Sequence, residues 1–292
     1  MGLLLAVVGA IAFSGKAIVA KLMYRHGVDA ITVLGLRMLL ALPAFLLMAW
    51  WGGRGQPALS AAQWRMVALL GFTGYYLASL LDFAGLQFIS ASLERLILYL
   101  NPTLVLLIGV LRFGHRVSAR QLVAMATSYA GILLVFGHEL ASTPAGGPGA
   151  TTALGAGLVF ASALSYAIYL AYGGELVKAL GSLRLVGLAS TVACALAITQ
   201  FLVLRTEVLG AIPSPVWWLS VLNASLCTVL PVLAVMMAIE RLGAPLAAQA
   251  GMIGPLATLL MGAVFLGEPL NAWIGAGTLL VLAGVALLAR AR

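Results

Sequence analysis

Ten stretches of about 20 apolar residues follow one another, near 3–24, 31–51, 64–84, 93–111, 118–137, 152–173, 184–204, 216–239, 246–266 and 271–290. A helix of that length crosses the hydrocarbon core of a bilayer. The spacing predicts an all-α polytopic membrane protein of ten transmembrane helices. Composition points the same way: 63% of the residues are hydrophobic and 8% charged, against about 45–50% and about 25% in soluble domains. The first run reads as a span and not a signal peptide, because it lacks a basic n-region and a small-residue cleavage site. The +8 net charge is scattered through apolar runs, so no basic face for nucleic acid exists. It reads instead as the Lys and Arg excess of cytoplasmic loops.

The breaks carry turn chemistry: "GGRGQP" at 52–57, "FGHRVS" at 113–118, "RTEVLGAIPSP" at 205–215 and "GEP" at 267–269. The longest break, within 137–152, is rich in Gly, Pro, Ser and Thr and reads as a flexible linker. It separates two copies of one pattern. Displaced by 153 residues, Pro102 meets Pro255, Gly109 meets Gly262, Gly114 meets Gly267 and Gly131 meets Gly284, without a gap. The expected organisation is a first five-helix repeat at 1–140, a linker at 141–151 and a second repeat at 152–292. Five spans is an odd number, so the second copy enters the membrane from the opposite side. Inverted repeats of this kind are common in secondary transporters, with the binding site near the midplane between them.

Loop charges give an orientation. With the N-terminus inside, the inner side holds Arg54, Arg65, Arg112, Arg116, Arg120, Lys178, Arg184, Arg241, Arg290 and Arg292. The outer side holds Lys21, Arg25, Arg95 and Arg205. Ten against four places both termini in the cytoplasm.

"NPTLVLLIGVLRFG" and "GPLATLLMGAVFLGEPL", each leading towards a second helix that closes in the second copy on "LAGV", resemble the last two helices of an EamA repeat in the drug/metabolite transporter superfamily. "GLRMLLAL" at 35–42 is similar to the second helix of such a repeat. The second copy keeps "FLGEPL", whereas the first has "RFGHRV", with His115 where an acid usually sits. The resemblance implies a ten-helix transporter of small metabolites or drugs in a bacterial inner membrane. Exporters of amino acids, aromatic ones in particular, look most alike.

Pro102, Pro255 and Pro231 lack the amide hydrogen of a helical bond, which predicts freed carbonyls at Leu98, Gly251 and Cys227. Such carbonyls in lipid need protein or water partners, so bends lining a wet central cavity are expected. Helical spacing collects polar side chains on faces: Tyr75, Ser79 and Asp82 with Tyr76 beside them; Arg95 and Tyr99 with Asn101; Ser165 with Tyr169; Gln249 with Met252. With Ser14, Lys16 and Arg37 these are the candidate pathway residues. Two readings stay open for each face, substrate pathway or interhelical hydrogen bonding. The Ala250, Gly254, Thr258 and Gly262 ladder reads as packing.

Lys16 lies eight residues from the end of its helix, roughly 12 Å deep at 1.5 Å per residue, and Arg37 sits at similar depth. A charge at mid-bilayer is costly and marks function by default. Lys16 either snorkels outward, meets a substrate carboxylate, or pairs with Asp82 or Glu94 as a gate charge. The tyrosine rings suit an amino acid with a large side chain; a cationic drug would use the same rings with Asp82 or Glu94. No intramembrane enzyme is expected: one intramembrane aspartate and no H-E-x-x-H or G-x-S-x-G are present. Cys194 and Cys227 sit in apolar runs and indicate neither metal nor cofactor. A membrane scaffold would not need polar faces converging on bent helices. The partners implied are a small-molecule substrate and the lipid bilayer. Proton coupling has only Asp82 and Glu94 to act through.

Overall fold

The computed structural model describes residues 2–114, 117–141, 149–205, 210–242 and 253–290, and every regular element among them is helical. In chain order these are α1 (Gly2–Tyr24), α2 (Ala30–Gly53), α3 (Ala61–Leu86), α4 (Ala91–Leu98, then Asn101–Phe113) and α5 (Ala119–Ala141). The second copy supplies α6 (Gly149–Leu180), α7 (Ser182–Leu204), α8 (Ser214–Ala224, Ser225–Val229 and Leu230–Leu242), α9 (Gly254–Leu266) and α10 (Ala272–Arg290). Among the described residues nine helices are long and apolar enough to span a membrane, and α9 is a shorter apolar helix. The expected span at 246–266 lies partly outside the described residues. α6 runs seven residues past the expected end at 173 and stops at Gly181, whose φ of +77° no helix accommodates.

The helices pair across the copies: α1 packs on α8, α2 on α7, α3 on α6 and α5 on α10, with the first part of α4 against α9. Close approaches show how the pairs run. A Cβ added to Gly35 would lie 2.5 Å from Phe201 Cβ, and one on Gly187 would lie 2.3 Å from the Ala49 nitrogen. Passing along α2 from 35 to 49 therefore means passing back along α7 from 201 to 187. α5 and α10 repeat this, with Gly131 against Gly277 and Gly284 against Ala124. Each set maps onto itself when one copy is exchanged for the other. The copies are antiparallel and related by an approximate two-fold, the inverted arrangement that five spans per copy demand.

Lipid is as apolar as leucine, so burial cannot press these helices together; backbone approach at small residues can. Leu111 and Val264 remain 78% and 75% exposed on the outside, where tails cover them. Gly187→Leu is accordingly expected to destabilise the bundle by about 3 kcal/mol or more through overpacking against the α2 backbone. A melting curve in detergent, compared with Leu111→Ala on the lipid face, would check this.

The prolines act differently from a mid-helix kink. α4 is broken at Tyr99–Leu100, and Pro102 sits in the first turn of the helix that restarts at Asn101. There an amide hydrogen has no helical partner anyway. Pro255 sits likewise just after Gly254 in α9, and Gly251 lies outside the described residues. Both helices end on a left-handed glycine, Gly114 (φ +67°) and Gly267 (φ +73°).

Two π-helical stretches, Gly71–Leu77 in α3 and Ser225–Val229 in α8, overlap when the copies are aligned. Their widened turns free carbonyls, and hydroxyls take them up. Ser165 Oγ donates to Thr73 O at 2.7 Å, Ser162 Oγ to Ala78 O at 2.6 Å and Thr228 Oγ1 to Asn223 O at 2.8 Å. Between α1 and α2, Asp29 caps α2 through the Thr32 amide and hydroxyl, and Arg205 beyond α7 reaches it at 2.6 Å. Partial burial pushes the Asp29 carboxyl up, but these donors together hold it below its ordinary value.

Candidate functional site

The most charged part of the interior lies where α1, α2, α3 and α4 meet. Lys16, Arg37, Asp82, Glu94 and Arg95 are each at most 7% exposed. Helical geometry sends them there: each sits among apolar neighbours, and a lipid-facing orientation would leave the charge in hydrocarbon. Lys16 Nζ donates to Asp82 Oδ2 at 2.5 Å. Its ammonium also lies 5.4 Å from the Phe13 ring and 5.5 Å from the Phe83 ring. The Arg37 guanidinium lies 4.8 Å from the same Phe83 ring and donates to Ser79 Oγ at 2.9 Å. Aromatic faces attract cations where water is absent, so both bases are held in place partly by rings.

Arg95 ties three helices together. Its Nε donates to Thr258 Oγ1 of α9 at 3.0 Å, and its other arm donates to Ser14 Oγ of α1 at 2.7 Å. Ser14 Oγ in turn lies 2.9 Å from the carbonyl of Gly254 and 2.8 Å from that of Ala10, and its one proton serves one of them at a time. Gly254 has no side chain because Tyr99 leaves no room: a Cβ there would come within 2.6 Å of the tyrosine hydroxyl. The space between the restart of α4 and the start of the described part of α9 is thus filled by a polar knot.

Neither acceptors nor donors in this region are all met. Asp82 Oδ1, both carboxylate oxygens of Glu94, the Asn101 carbonyl oxygen and Arg37 Nε are buried without a hydrogen-bond partner. Three bases face two acids, which leaves the cluster one positive charge in excess when all are ionised.

The tyrosines divide. Tyr75 and Tyr169 bring their hydroxyls to 3.3 Å with rings edge to face, and Tyr166 stacks on Tyr169 at 5.4 Å. Tyr76 turns away and packs at a tilt against Phe72, 5.7 Å between centroids. Pro255 is buried and Pro102 half-buried. Ser165 is committed to the α3 backbone. Gln249 and Met252 lie outside the described residues.

A polar cavity of about 330 Å³ opens at the end of α1, lined by Lys21, Tyr24, Arg25, Leu86, Gln87, Leu266 and Glu268. The expected central cavity at Pro102 and Pro255 does not coincide with it, because Arg95, Ser14, Tyr99 and Thr258 occupy that level. Around the mouth, Glu268 accepts from the Ala91 amide at 2.7 Å and from Ser92 Oγ at 2.8 Å. Arg25 donates to Leu266 O at 2.8 Å, Tyr24 to Phe83 O at 2.7 Å, and Ser90 to Glu139. These bonds join α1, α3, α4, α5 and the α9–α10 turn at one end of the bundle.

Two participants, Glu94 and Thr258, are not among the pathway candidates from sequence. The residue pattern offers Glu94 as a gate partner of Lys16 and Arg95 as a face residue, but not their convergence. Thr258 falls in the small-residue ladder that spacing assigns to packing. The acid of "FLGEPL" could have been singled out from the motif, and the structure shows it holding the start of α4.

A ten-helix inverted bundle with ionisable groups buried at its centre has the architecture of a membrane transporter. The sequence comparison makes the class specific: residues 1–137 and 153–290 each match the EamA-like transporter family, and the chain belongs to it. It is 30% identical over 277 residues to the "Uncharacterized transporter YcbK" of Bacillus subtilis (strain 168), over 92% of this chain and 86% of the relative. A solved crystal structure shares the fold with a TM-score of 0.67 at 16% identity, over 98% of this chain and 97% of the other.

Proposed function

We propose that this transporter exports amino acids, aromatic ones among them, by alternating access of its two copies around the Lys16 and Arg95 level. The observation that carries the reading is the excess of buried bases over acids in the cluster. An α-carboxylate entering it would neutralise the surplus, and the Tyr75, Tyr166 and Tyr169 rings offer apolar faces for a large side chain. Ser14, Lys16, Arg37, Ser79, Asp82, Tyr99, Asn101, Pro102 and Pro255 are the residues assigned to the pathway. A purified carrier in proteoliposomes should take up labelled phenylalanine and be competed by other aromatic amino acids, with phenethylamine, which lacks the carboxylate, a poor competitor. Transport of tetraphenylphosphonium with none of phenylalanine would favour a cation efflux carrier instead.

The same proposal places the protein in a bacterial inner membrane with both termini cytoplasmic. Arg95 on the outer side and Arg184 on the inner side both lie inside the bundle, so the bias among the remaining bases is nine to three. A cysteine appended at the C-terminus is expected to resist an impermeant maleimide in intact cells and to react once the cells are opened. Cys194 and Cys227 are buried and should give little background. Labelling in intact cells would reverse the orientation.

A further inference from the structure

We infer that Glu94 carries a proton in this conformation and is the group through which transport couples to a proton gradient. The inference rests on the chain being a carrier and not on which substrate it moves.

Glu94 lies in the first turn of α4, 1% exposed, and neither of its oxygens meets a donor. The ionisable groups around it come from three helices. α1 presents Lys16, with Lys21 and Tyr24 nearer the mouth; α3 presents Asp82; α4 itself supplies Arg95. None of the near bases is free to serve it. Lys16 is committed to Asp82 at 2.5 Å, and Arg95 to Ser14 and Thr258. Among its described residues α9 offers the Thr258 hydroxyl, and Glu268 beyond it is engaged by Ala91 and Ser92.

An ionised carboxylate buried without a donor is among the costliest groups a fold can contain. Two neighbouring carboxyls served by one ammonium share a proton more readily than they bear two charges. A protonated Glu94 can donate to Asp82; as two anions neither carboxyl could donate to the other.

The proton then has a mechanical consequence. When Glu94 releases it to water on the side to which the carrier is open, the new carboxylate competes with Asp82 for the Lys16 ammonium. Lys16 moves with α1, Asp82 with α3 and Glu94 with α4, so a change of partner repositions helices that seal the mouth. Reprotonation of Glu94 from the opposite side returns Lys16 to Asp82. One proton crosses per cycle, and no other species is consumed. A bound metal cation would add charge to a cluster whose bases already outnumber its acids.

Infrared difference spectra of the full chain in lipid nanodiscs should show a protonated carboxylic C=O band at neutral pH. The band should vanish in Glu94→Gln and weaken in Asp82→Asn, where Lys16 loses its partner and turns to Glu94. Glu94→Gln mimics the protonated acid and should melt near wild type. In proteoliposomes with labelled phenylalanine, each unit of pH gradient should support about tenfold accumulation for one proton, and Glu94→Gln should lose this dependence on pH. Absence of the band, pH-driven accumulation by Glu94→Gln equal to wild type, or accumulation driven by a sodium gradient alone would overturn the inference. If wild type fails to move phenylalanine, the substrate reading falls and the infrared band decides on Glu94.

Discussion

Lys16→Ala is expected to abolish transport of carboxylate-bearing substrates and to destabilise the bundle by about 3–5 kcal/mol. The reason is the partner it leaves behind. Asp82, 1% exposed and already holding one unmet oxygen, would lose its only ammonium, and breaking a buried pair from one side costs about that much. Replacing both members by apolar side chains of similar volume removes the stranded charge together with the pair. Lys16→Met combined with Asp82→Leu should therefore recover the melting temperature without recovering transport. Melting curves and phenylalanine uptake on the single and double variants separate the two roles. A single variant that transports at the wild-type rate would show Lys16 to be a bystander.

Arg95→Ala is the second large effect. The guanidinium joins α1 and α9 to α4 through Ser14 and Thr258, and its removal leaves two buried hydroxyls short of a donor. Hydrogen bonds to a charged group contribute about 1.5–3 kcal/mol each, so the loss should reach several kcal/mol in a thermal melt. Arg95→Lys should rescue little, because a single ammonium on a flexible stem cannot span both partners as the planar fork does. Near-complete rescue by lysine would mean that the charge matters and the cross-link does not.

Some of this was legible in the sequence. Pro102 and Pro255, with Gly114 and Gly267 behind them, announced two equivalent helices, and five spans per copy announced their inversion. The prolines marked the right place but a different geometry, since a break at Tyr99–Leu100 puts Pro102 in a first turn and leaves no kinked continuous helix. The polarity of Ser165 makes it a pathway candidate. It is instead spent on a carbonyl freed by the π-helical turn of α3, a turn that nothing in the local residue pattern signals.

What the sequence by itself determined is the class of fold. Hydrocarbon demands about 20 apolar residues per crossing and internal satisfaction of every backbone group, and those demands are met one helix at a time, within reach of the local pattern. Which charges meet is another matter. Lys16 and Asp82 are 66 residues apart and Arg95 and Thr258 are 163 apart, and their contact depends on how each helix is rotated about its axis. Rotation is set by glycine approaches such as Gly35 on Phe201 and Gly187 on Ala49, between helices from opposite copies. A snorkelling lysine and a paired one have the same local sequence. Only the packing of α1 against α3 and α4 decided that Lys16 is paired with Asp82 while Glu94, in the same cluster of charges, is not.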